Sequence, residues 1–282
     1  MNRYALQFER LRQHGEGALI PFVTLGDPDF ERSHRVIEAL IRAGADMLEL
    51  GIPFSDPIAD GPTIQNANLR ALQHGMSTNR AFELVGLVRA SHPDIPLGLL
   101  VYSNLVLAYG LEEFYRAARS TGVDSILVAD LPLEESEHWL WAAHQYDIKQ
   151  VFLVSLTTCA ERMRRIIQSS SAFIYLVAAL GVTGAREAIQ KRLFEMIPLL
   201  RRETSLPICT GFGISKPEQI QPILTLGADG VIVGSAIIQL IERNLNEEAK
   251  MMNEIEQFVS QLKEQTRVSV SSHEAASSSG SI

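Results

Sequence analysis

Two carboxylates of the segment MLELGIPFSDPIADG (47–61), Glu49 and Asp60, are candidates for proton transfer. Glu49 interrupts an apolar run with strand character, and Asp60 follows in a turn rich in Gly, Pro and Asp. A buried carboxylate is costly unless it is paired or takes part in chemistry. Desolvation raises the pKa of a Glu, which suits general acid–base catalysis near neutral pH. Glu49 is therefore the candidate acid–base residue, and Asp60 is expected to accept a hydrogen bond from a substrate N–H.

Both carboxylates also have an ordinary structural interpretation. Glu49 would be merely solvated or salt-bridged if its strand ended at that point. Asp60, followed by Gly61 and Pro62, is also typical of a helix entry. The residues alone leave both interpretations open.

Two glycine motifs, TGFGIS (210–215) and VGSAI (233–237), each end a predicted strand and open a predicted helix. Glycines without Cβ atoms let backbone N–H groups approach an anion, and each helix N-terminus adds about half a positive charge. Neither TGFG nor VGS contains Lys or Arg, so this would be a phosphate site built from backbone, using Gly213, Gly234 and Ser235. The alternative is a pair of ordinary strand-to-helix turns.

The elements that must position these groups alternate regularly. Continuous apolar runs are typical of strands buried on both faces of a parallel sheet. Eight strand–helix units match a (β/α)₈ TIM barrel of about 250 residues, whose active site lies at the C-terminal strand ends; a doubly wound open sheet is the alternative. The predicted strands are 19–25, 46–51, 97–103, 124–130, 149–155, 172–178, 206–213 and 229–235, and the predicted helices are 30–42, 79–89, 111–120, 136–145, 160–168, 185–202, 216–226 and 236–242.

The two ends extend this pattern. Tyr4, Phe8 and Leu11 share one helical face, and Gly15 follows as a stop, which predicts an extra N-terminal helix over the barrel floor. Residues 245–265 are charged and helical in pattern. The last 17 residues contain seven serines, so we predict one barrel domain over 1–265 and a disordered tail over 266–282.

Apolar residues near the predicted mouth complete a pocket. Phe22, Leu100, Leu127, Phe212 and Ile232 are expected to line the upper barrel interior. Trp139 and Trp141 fall in a predicted helix and are interpreted as packing residues.

Bulk composition excludes several classes of function. A net charge of −8 argues against a nucleic-acid surface and against binding to an anionic membrane, although not against a small anionic substrate. Two cysteines without a CxxC motif and seven scattered histidines without HExxH favour a reduced, cytoplasmic protein without a metal site. No secretory signal and no apolar run of membrane-spanning length is found.

The segment ELGIPFSDPIADGPTIQ (49–65) closely resembles the signature of the tryptophan synthase α subunit family. The resemblance covers about residues 1–265, and its further motifs, in matching order, are 17–28, 102–110, 128–136, 181–187, 210–215 and 233–237. It implies retro-aldol cleavage of indole-3-glycerol phosphate to indole and glyceraldehyde 3-phosphate, without metal or organic cofactor. It also implies that indole passes to a pyridoxal-phosphate β subunit, usually in an α₂β₂ complex.

Roles follow from the resemblance residue by residue. Glu49 matches the acid–base residue, and Asp60 matches the partner of the indole N–H. Tyr175 matches a pocket tyrosine, and Thr183 a mobile-loop threonine. The phosphate cup corresponds to Gly184, Gly213, Gly234 and Ser235, and the surface toward the β subunit to Pro53, Asp56 and Asn104.

One stretch departs from the family pattern. Ala178, Ala179 and Leu180 stand where the family usually carries a small polar residue and then Arg, and Ser155–Leu156 replace a common Ala-Pro. A lost Arg removes a charge-assisted contact that holds a loop closed. The alternative function is therefore a weakly catalytic allosteric activator of the β subunit. A sugar-phosphate isomerase or epimerase is a third possibility, which the 49–65 signature disfavours.

Overall fold

The computed structural model describes residues 2–177, 186–211 and 213–267. Their strands form one sheet of parallel pairs in the order β5-β4-β3-β2-β1-β9-β8-β7-β6. The strands are β1 (Ala18–Thr24), β2 (Leu48–Gly51), β3 (Leu97–Val101), β4 (Ser125–Val128), β5 (Lys149–Val151), β6 (Leu153–Ser155), β7 (Ile174–Val177), β8 (Ile208–Gly211) and β9 (Gly230–Val233).

The predicted strand 149–155 is divided at Phe152, so that β5 and β6 form the two ends of the sheet. Backbone continuity through Phe152 joins these ends and closes the ring. The TIM-barrel prediction is confirmed, and the doubly wound alternative is wrong.

The helices surround this ring. Two of them, α3 and α5, were not predicted as separate elements, and the predicted helix 216–226 is a 3₁₀ turn (Pro217–Gln219) followed by a short helix. The helices are α1 (Arg3–Gln13), α2 (Phe30–Arg42), α3 (Pro62–Gln73), α4 (Thr78–Ser91), α5 (Ser103–Tyr109), α6 (Leu111–Thr121), α7 (Glu137–Gln145), α8 (Ala160–Ser169), α9 (Arg186–Glu203), α10 (Ile220–Thr225), α11 (Ser235–Arg243) and α12 (Glu248–Glu264).

The N-terminal helix α1 covers the floor, as predicted. Its Tyr4 is buried, and the Tyr4 hydroxyl shares a 2.8 Å hydrogen bond with Ser125 Oγ at the start of β4. The last described residues lie at the same floor, because the Gly17 N–H donates to the Thr266 carbonyl at 2.8 Å. Contacts thus continue to Thr266 and Arg267, while residues 268–282 of the predicted tail lie outside the described part of the chain.

Three aspartates tie the floor together. Asp46, Asp124 and Asp229 precede β2, β4 and β9, and each accepts a hydrogen bond from the backbone N–H at the start of the neighbouring strand, at 2.9, 2.9 and 2.7 Å. Each also pairs with a cation: Lys263 with Asp46, Arg89 with Asp124, and Arg201 with Asp229. In the sequence, each of these aspartates ends a Gly-Ala-Asp or Gly-Val-Asp tripeptide, at 44–46, 122–124 and 227–229.

Candidate active site

A cavity of about 200 Å³ opens at the C-terminal ends of the strands. Predicted residues from four of the motifs and from further predicted strands meet around it, together with other small and apolar residues that were not among the predicted site residues. The predicted lining residues are Phe22, Glu49, Asp60, Leu100, Leu127, Tyr175, Gly213, Ile232, Gly234 and Ser235, and the further ones are Ala59, Gly61, Ile64, Ala129, Leu153, Val177 and Gly211. Thr183, Gly184, Phe212 and the 178–180 stretch lie outside the described residues.

Glu49 lies on β2, opposite Phe22 on β1 and Gly98 on β3, and is 6 % exposed. Within the described chain it has no ion-pair partner; its hydrogen-bond partner is the Tyr175 hydroxyl, which donates to Oε2 at 3.4 Å. Burial raises the pKa of the Glu49 carboxyl to about 8, because one weak donor does not offset desolvation and the nearby Asp60 carboxylate raises the pKa further. Glu49 therefore carries a proton at neutral pH, unlike a solvated or salt-bridged glutamate.

Asp60 also lines the cavity, from the turn that precedes α3. Gly61 is the N-cap of α3, Pro62 begins the helix, and no side chain caps it, so the helix-capping interpretation of Asp60 is wrong. The Asp60 carboxylate instead faces the Tyr102 hydroxyl and accepts a 3.5 Å hydrogen bond from Asn68 Nδ2. Burial raises the Asp60 pKa above its usual value, whereas these two donors lower it.

Glycines shape the walls of the cavity. A Cβ atom on Gly211 would lie 2.8 Å from the Tyr175 hydroxyl, so this glycine leaves room for the tyrosine beside Glu49. Phe22 is similarly enclosed, since Cβ atoms on Gly51 and Gly234 would lie 2.9 Å and 3.0 Å from its ring. Glycines of both motifs thus have a packing role that the phosphate interpretation did not anticipate.

The two glycine motifs differ in their helices. Gly234 is the N-cap of α11 and Ser235 is its first residue, so VGSAI opens a helix as predicted. TGFGIS does not open one, because a loop and the 3₁₀ turn come first, and Gln219 Oε1 accepts the N–H groups of Ser215 and Lys216 at 2.9 Å. Gly213 lines the cavity at a φ of 73°, which a residue with a side chain rarely adopts.

The rim beside the cavity is partly apolar. Asp56 and Asn104 are exposed, whereas Pro53 is buried within the chain. Ile58 and Leu107 are 83 % and 58 % exposed near these two polar residues. Asp130 holds the start of α5, because it accepts hydrogen bonds from the Ser103 N–H and Oγ at 2.7 and 2.8 Å.

Other residues singled out by sequence fall elsewhere. Trp139 is buried, but Trp141 is 53 % exposed, so its interpretation as a packing residue is wrong. Cys159 is exposed and Cys209 is buried, and both are free thiols. In the described ranges, no group of three or more His, Cys, Asp or Glu side chains is arranged to hold a metal, and no helix is long and apolar enough to cross a membrane.

Comparison with known proteins covers nearly the whole chain. Residues 8–267 match the family model described as tryptophan synthase alpha chain. The alpha chain of Escherichia fergusonii is 46% identical over 95% of this chain and 100% of its own length, and that of Methanothermobacter thermautotrophicus is 49% identical over 90% and 94%. The Legionella pneumophila alpha chain structure superposes with a TM-score of 0.85 at 32% identity, covering 94% of this chain and 97% of that one. A Mycobacterium tuberculosis tryptophan synthase structure gives 0.86 at 28% identity, covering 95% and 99%.

Proposed function

The chain belongs to the tryptophan synthase alpha chain family, and from this premise we propose how its residues perform the reaction. Its activity is the cleavage of indole-3-glycerol phosphate, a carbon–carbon lyase reaction. The reaction must protonate the indole ring carbon that bears the glycerol chain, remove a proton from the adjacent hydroxyl, and break the bond between them. The products are indole and glyceraldehyde 3-phosphate.

Glu49 acts as the general acid and then as the general base of this reaction. The observation that carries this assignment is a buried carboxyl on the cavity wall with a pKa raised to about 8. Protonated at neutral pH, Glu49 gives its proton to the ring carbon. The carboxylate so formed takes the hydroxyl proton, a carbonyl forms, and the electron pair of the broken carbon–carbon bond returns to the ring.

Asp60 stabilises the intermediate charge. Protonation of the ring carbon places positive charge on the indole nitrogen, and Asp60 is the second carboxylate that lines the cavity. It accepts the ring N–H, and this interaction strengthens as the nitrogen becomes positive. Phe22, Leu100, Leu127 and Ile232 supply the apolar surface for the ring, with Tyr175 beside Glu49.

The substrate phosphate lies at the N-terminus of α11. Gly234 and Ser235 present the first backbone N–H groups of this helix to the cavity, and Gly213 lines the same end. The helix dipole favours an anion there. Gly184 in the phosphate cup, and Thr183 and Phe212 around the substrate, complete the proposed set, although they lie outside the described residues.

A tryptophan synthase β subunit is the proposed partner, since a structure similar to this chain is that of Mycobacterium tuberculosis tryptophan synthase. We propose an α₂β₂ complex whose pyridoxal-phosphate β subunit receives the indole. Exposed Ile58 and Leu107, with Asp56 and Asn104, form an apolar and polar rim at the cavity mouth that supports docking there, with Pro53 beneath it. Two free cysteines support a cytoplasmic location.

The test is indole formation from indole-3-glycerol phosphate by wild type and Glu49→Gln, each with and without the β subunit. Loss of a general acid is expected to lower kcat about 10²–10⁴-fold. Glu83→Gln makes the same change at an exposed position on α4 and should leave the rate unchanged. A folded Glu49→Gln variant with wild-type turnover would refute the acid–base role. An inactive wild type that still stimulates the β subunit would identify an allosteric activator instead.

A further inference from the structure

Asn68 on α3 joins the rim of the cavity to Asp60. Its side chain is 5 % exposed, its Oδ1 accepts the backbone N–H of Phe54 at 3.4 Å, and its Nδ2 donates to Asp60 Oδ2 at 3.5 Å. The two partners fix the amide orientation, because an N–H requires the oxygen and a carboxylate requires the nitrogen. The buried Asn68 side chain thus contacts both the Phe54 backbone and the Asp60 carboxylate.

Tyr102 makes a second connection between the same two points. Its ring stacks on Phe54 with centroids 5.2 Å apart and planes 25° apart. Its hydroxyl accepts the Ala59 N–H at 3.1 Å and faces the Asp60 carboxylate. Both groups that hold the Asp60 side chain therefore touch Phe54, whose neighbours Ser55 and Asp56 are exposed.

The helix that carries Asn68 is anchored independently of it. Arg70, two residues further along α3, binds both oxygens of buried Asp27 at 2.8 and 2.9 Å and Glu242 of α11 at 3.0 Å. Asn68 therefore projects from a fixed frame, whereas Phe54 and Asp60 belong to the turn between β2 and α3. A displacement of Phe54 changes the hydrogen bonds of Asn68 without moving the helix.

We propose that Asn68 is a positioning residue that couples the orientation of Asp60 to the backbone position of Phe54, and so to the partner docked on the rim. This rests on the proposed function, in which Asp60 receives the indole N–H and the β subunit docks beside it. Both Asn68 hydrogen bonds are longer than the usual 2.9–3.0 Å in the free chain. When a partner docks against Asp56 and Ile58, Phe54 moves inward. This movement shortens both Asn68 hydrogen bonds and fixes the orientation of the Asp60 carboxylate for catalysis.

The coupling is tested with two Asn68 variants and a matched control. Asn68→Asp is isosteric and keeps an acceptor for Phe54, but it replaces the donor to Asp60 with a negative oxygen. Asn68→Ala removes both bonds. Asn66→Ala changes the same residue type two positions away on α3, where the side chain is exposed. Each variant is assayed for indole formation as the isolated chain and with the cognate β subunit, across pH.

We expect the stimulation of kcat by the β subunit to fall about tenfold in Asn68→Ala and Asn68→Asp, and to stay at the wild-type level in Asn66→Ala. The acid limb of the kcat/KM profile should also move to higher pH, most in Asn68→Asp. Asp60 is faced by Glu49, Tyr102 and Tyr175, which all remain in these variants. A shift of the acid limb in Asn68→Ala therefore reflects the loss of the Asn68 N–H donor to Asp60.

A merely structural Asn68 predicts otherwise, because the isosteric Asp variant would then keep wild-type stimulation by the β subunit, and Asn68→Ala would keep an unshifted acid limb. That result overturns the coupling, and urea unfolding of Asn68→Asp verifies that the variant is folded. Asp60→Asn separates this failure from failure of the proposed function. If Asp60→Asn keeps wild-type turnover, the role of Asp60 itself is wrong; if it is inactive while both Asn68 variants resemble wild type, the coupling alone is wrong.

Discussion

Buried carboxylates at the two ends of this barrel have very different partners. At the floor, Asp46 and Asp124 each bind a cation and a backbone N–H of the neighbouring strand. At the mouth, Glu49 and Asp60 have hydroxyl and amide donors but no cation among the described residues. Burial raises the pKa at both ends, but the partners oppose it to different extents. At Asp46 the Lys263 cation and the Leu19 N–H counteract desolvation, whereas at Glu49 one weak hydroxyl donor leaves the pKa at about 8.

The largest change in stability is expected at the floor. Asp124→Ala leaves Arg89 and Arg3 without their carboxylate and the Leu97 N–H without its acceptor. Breaking such a buried pair costs about 3–5 kcal/mol of the free energy of unfolding. Urea unfolding measures this loss, and Glu134→Ala, which removes an exposed partner of Arg162 and Arg165, should lose much less. Equal losses in the two variants would contradict the comparison.

At the mouth, removal of the charge of a carboxylate is expected to raise the free energy of unfolding and not to lower it. Glu49 ionises with an ordinary pKa of 4.5 when unfolded and about 8 when folded. Between these values the folded chain keeps a proton that the unfolded chain has released, so stability falls as pH rises from 4.5 to 8. Glu49→Gln removes this penalty, and its advantage over wild type should be about 3–4 kcal/mol larger at pH 9 than at pH 5.

Urea unfolding of both proteins at the two pH values checks this expectation. A difference between the proteins that does not change with pH would show that Glu49 ionises normally in the folded chain. The gain in stability and the loss of activity in one variant would together show that the mouth is built for chemistry at the expense of stability.

A smaller effect is expected from the glycines that enclose Phe22. A Cβ on Gly51 would lie 2.9 Å from the Phe22 ring, so Gly51→Ala forces the ring toward the cavity. Overpacking of this kind costs about 1–3 kcal/mol, and here it should raise KM more than it lowers kcat. Gly86→Ala is the control, because no atom lies within 4 Å of its added Cβ. Unchanged KM in Gly51→Ala would show that Phe22 does not shape the substrate slot.

The smallest expected effect is a shift in the pH at which kcat/KM falls on the alkaline side of its profile. Because Glu49 must be protonated to act as the acid, kcat/KM should fall above about pH 8. The Tyr175 hydroxyl favours ionised Glu49, while nearby Asp60 opposes it. Tyr175→Phe should therefore move the limb to higher pH while the fold is retained. A limb that moves to lower pH, or does not move, would show that another group controls it.

Sequence predicted the elements with strong local signals most closely. The helix predicted at 30–42 has the same bounds in the structure, because Asp29 caps it and Gly44 follows its end at a φ of 104°. The helices α3 and α5 were missed because both begin inside motifs, 49–65 and 102–110, that were interpreted through the family resemblance and not for helical spacing. The interruption at Phe152 was also missed, since the run 149–155 is continuously apolar after Lys149 and Gln150.

In the candidate site, Glu49 was predictable because a carboxylate is unusual within an apolar strand, and the glycines because they follow predicted strands in short motifs. Asn68 and Tyr102 were not, because Asn68 lies outside the quoted motifs and Tyr102, although it begins the motif 102–110, was given no role there. Tyr102 is separated from Asp60 by 42 positions, and it meets Asp60 through the pairing of β2 with β3. The packing role of Gly51 and Gly234 depends in the same way on Phe22, which lies on another strand.

The bond between Gly17 and Thr266 has a practical consequence. It brings the first and last segments of the described chain together on the floor, opposite the mouth. A surface-immobilised form attached near Arg267 would therefore direct the cavity and its rim outward, open to substrate and to a docking subunit.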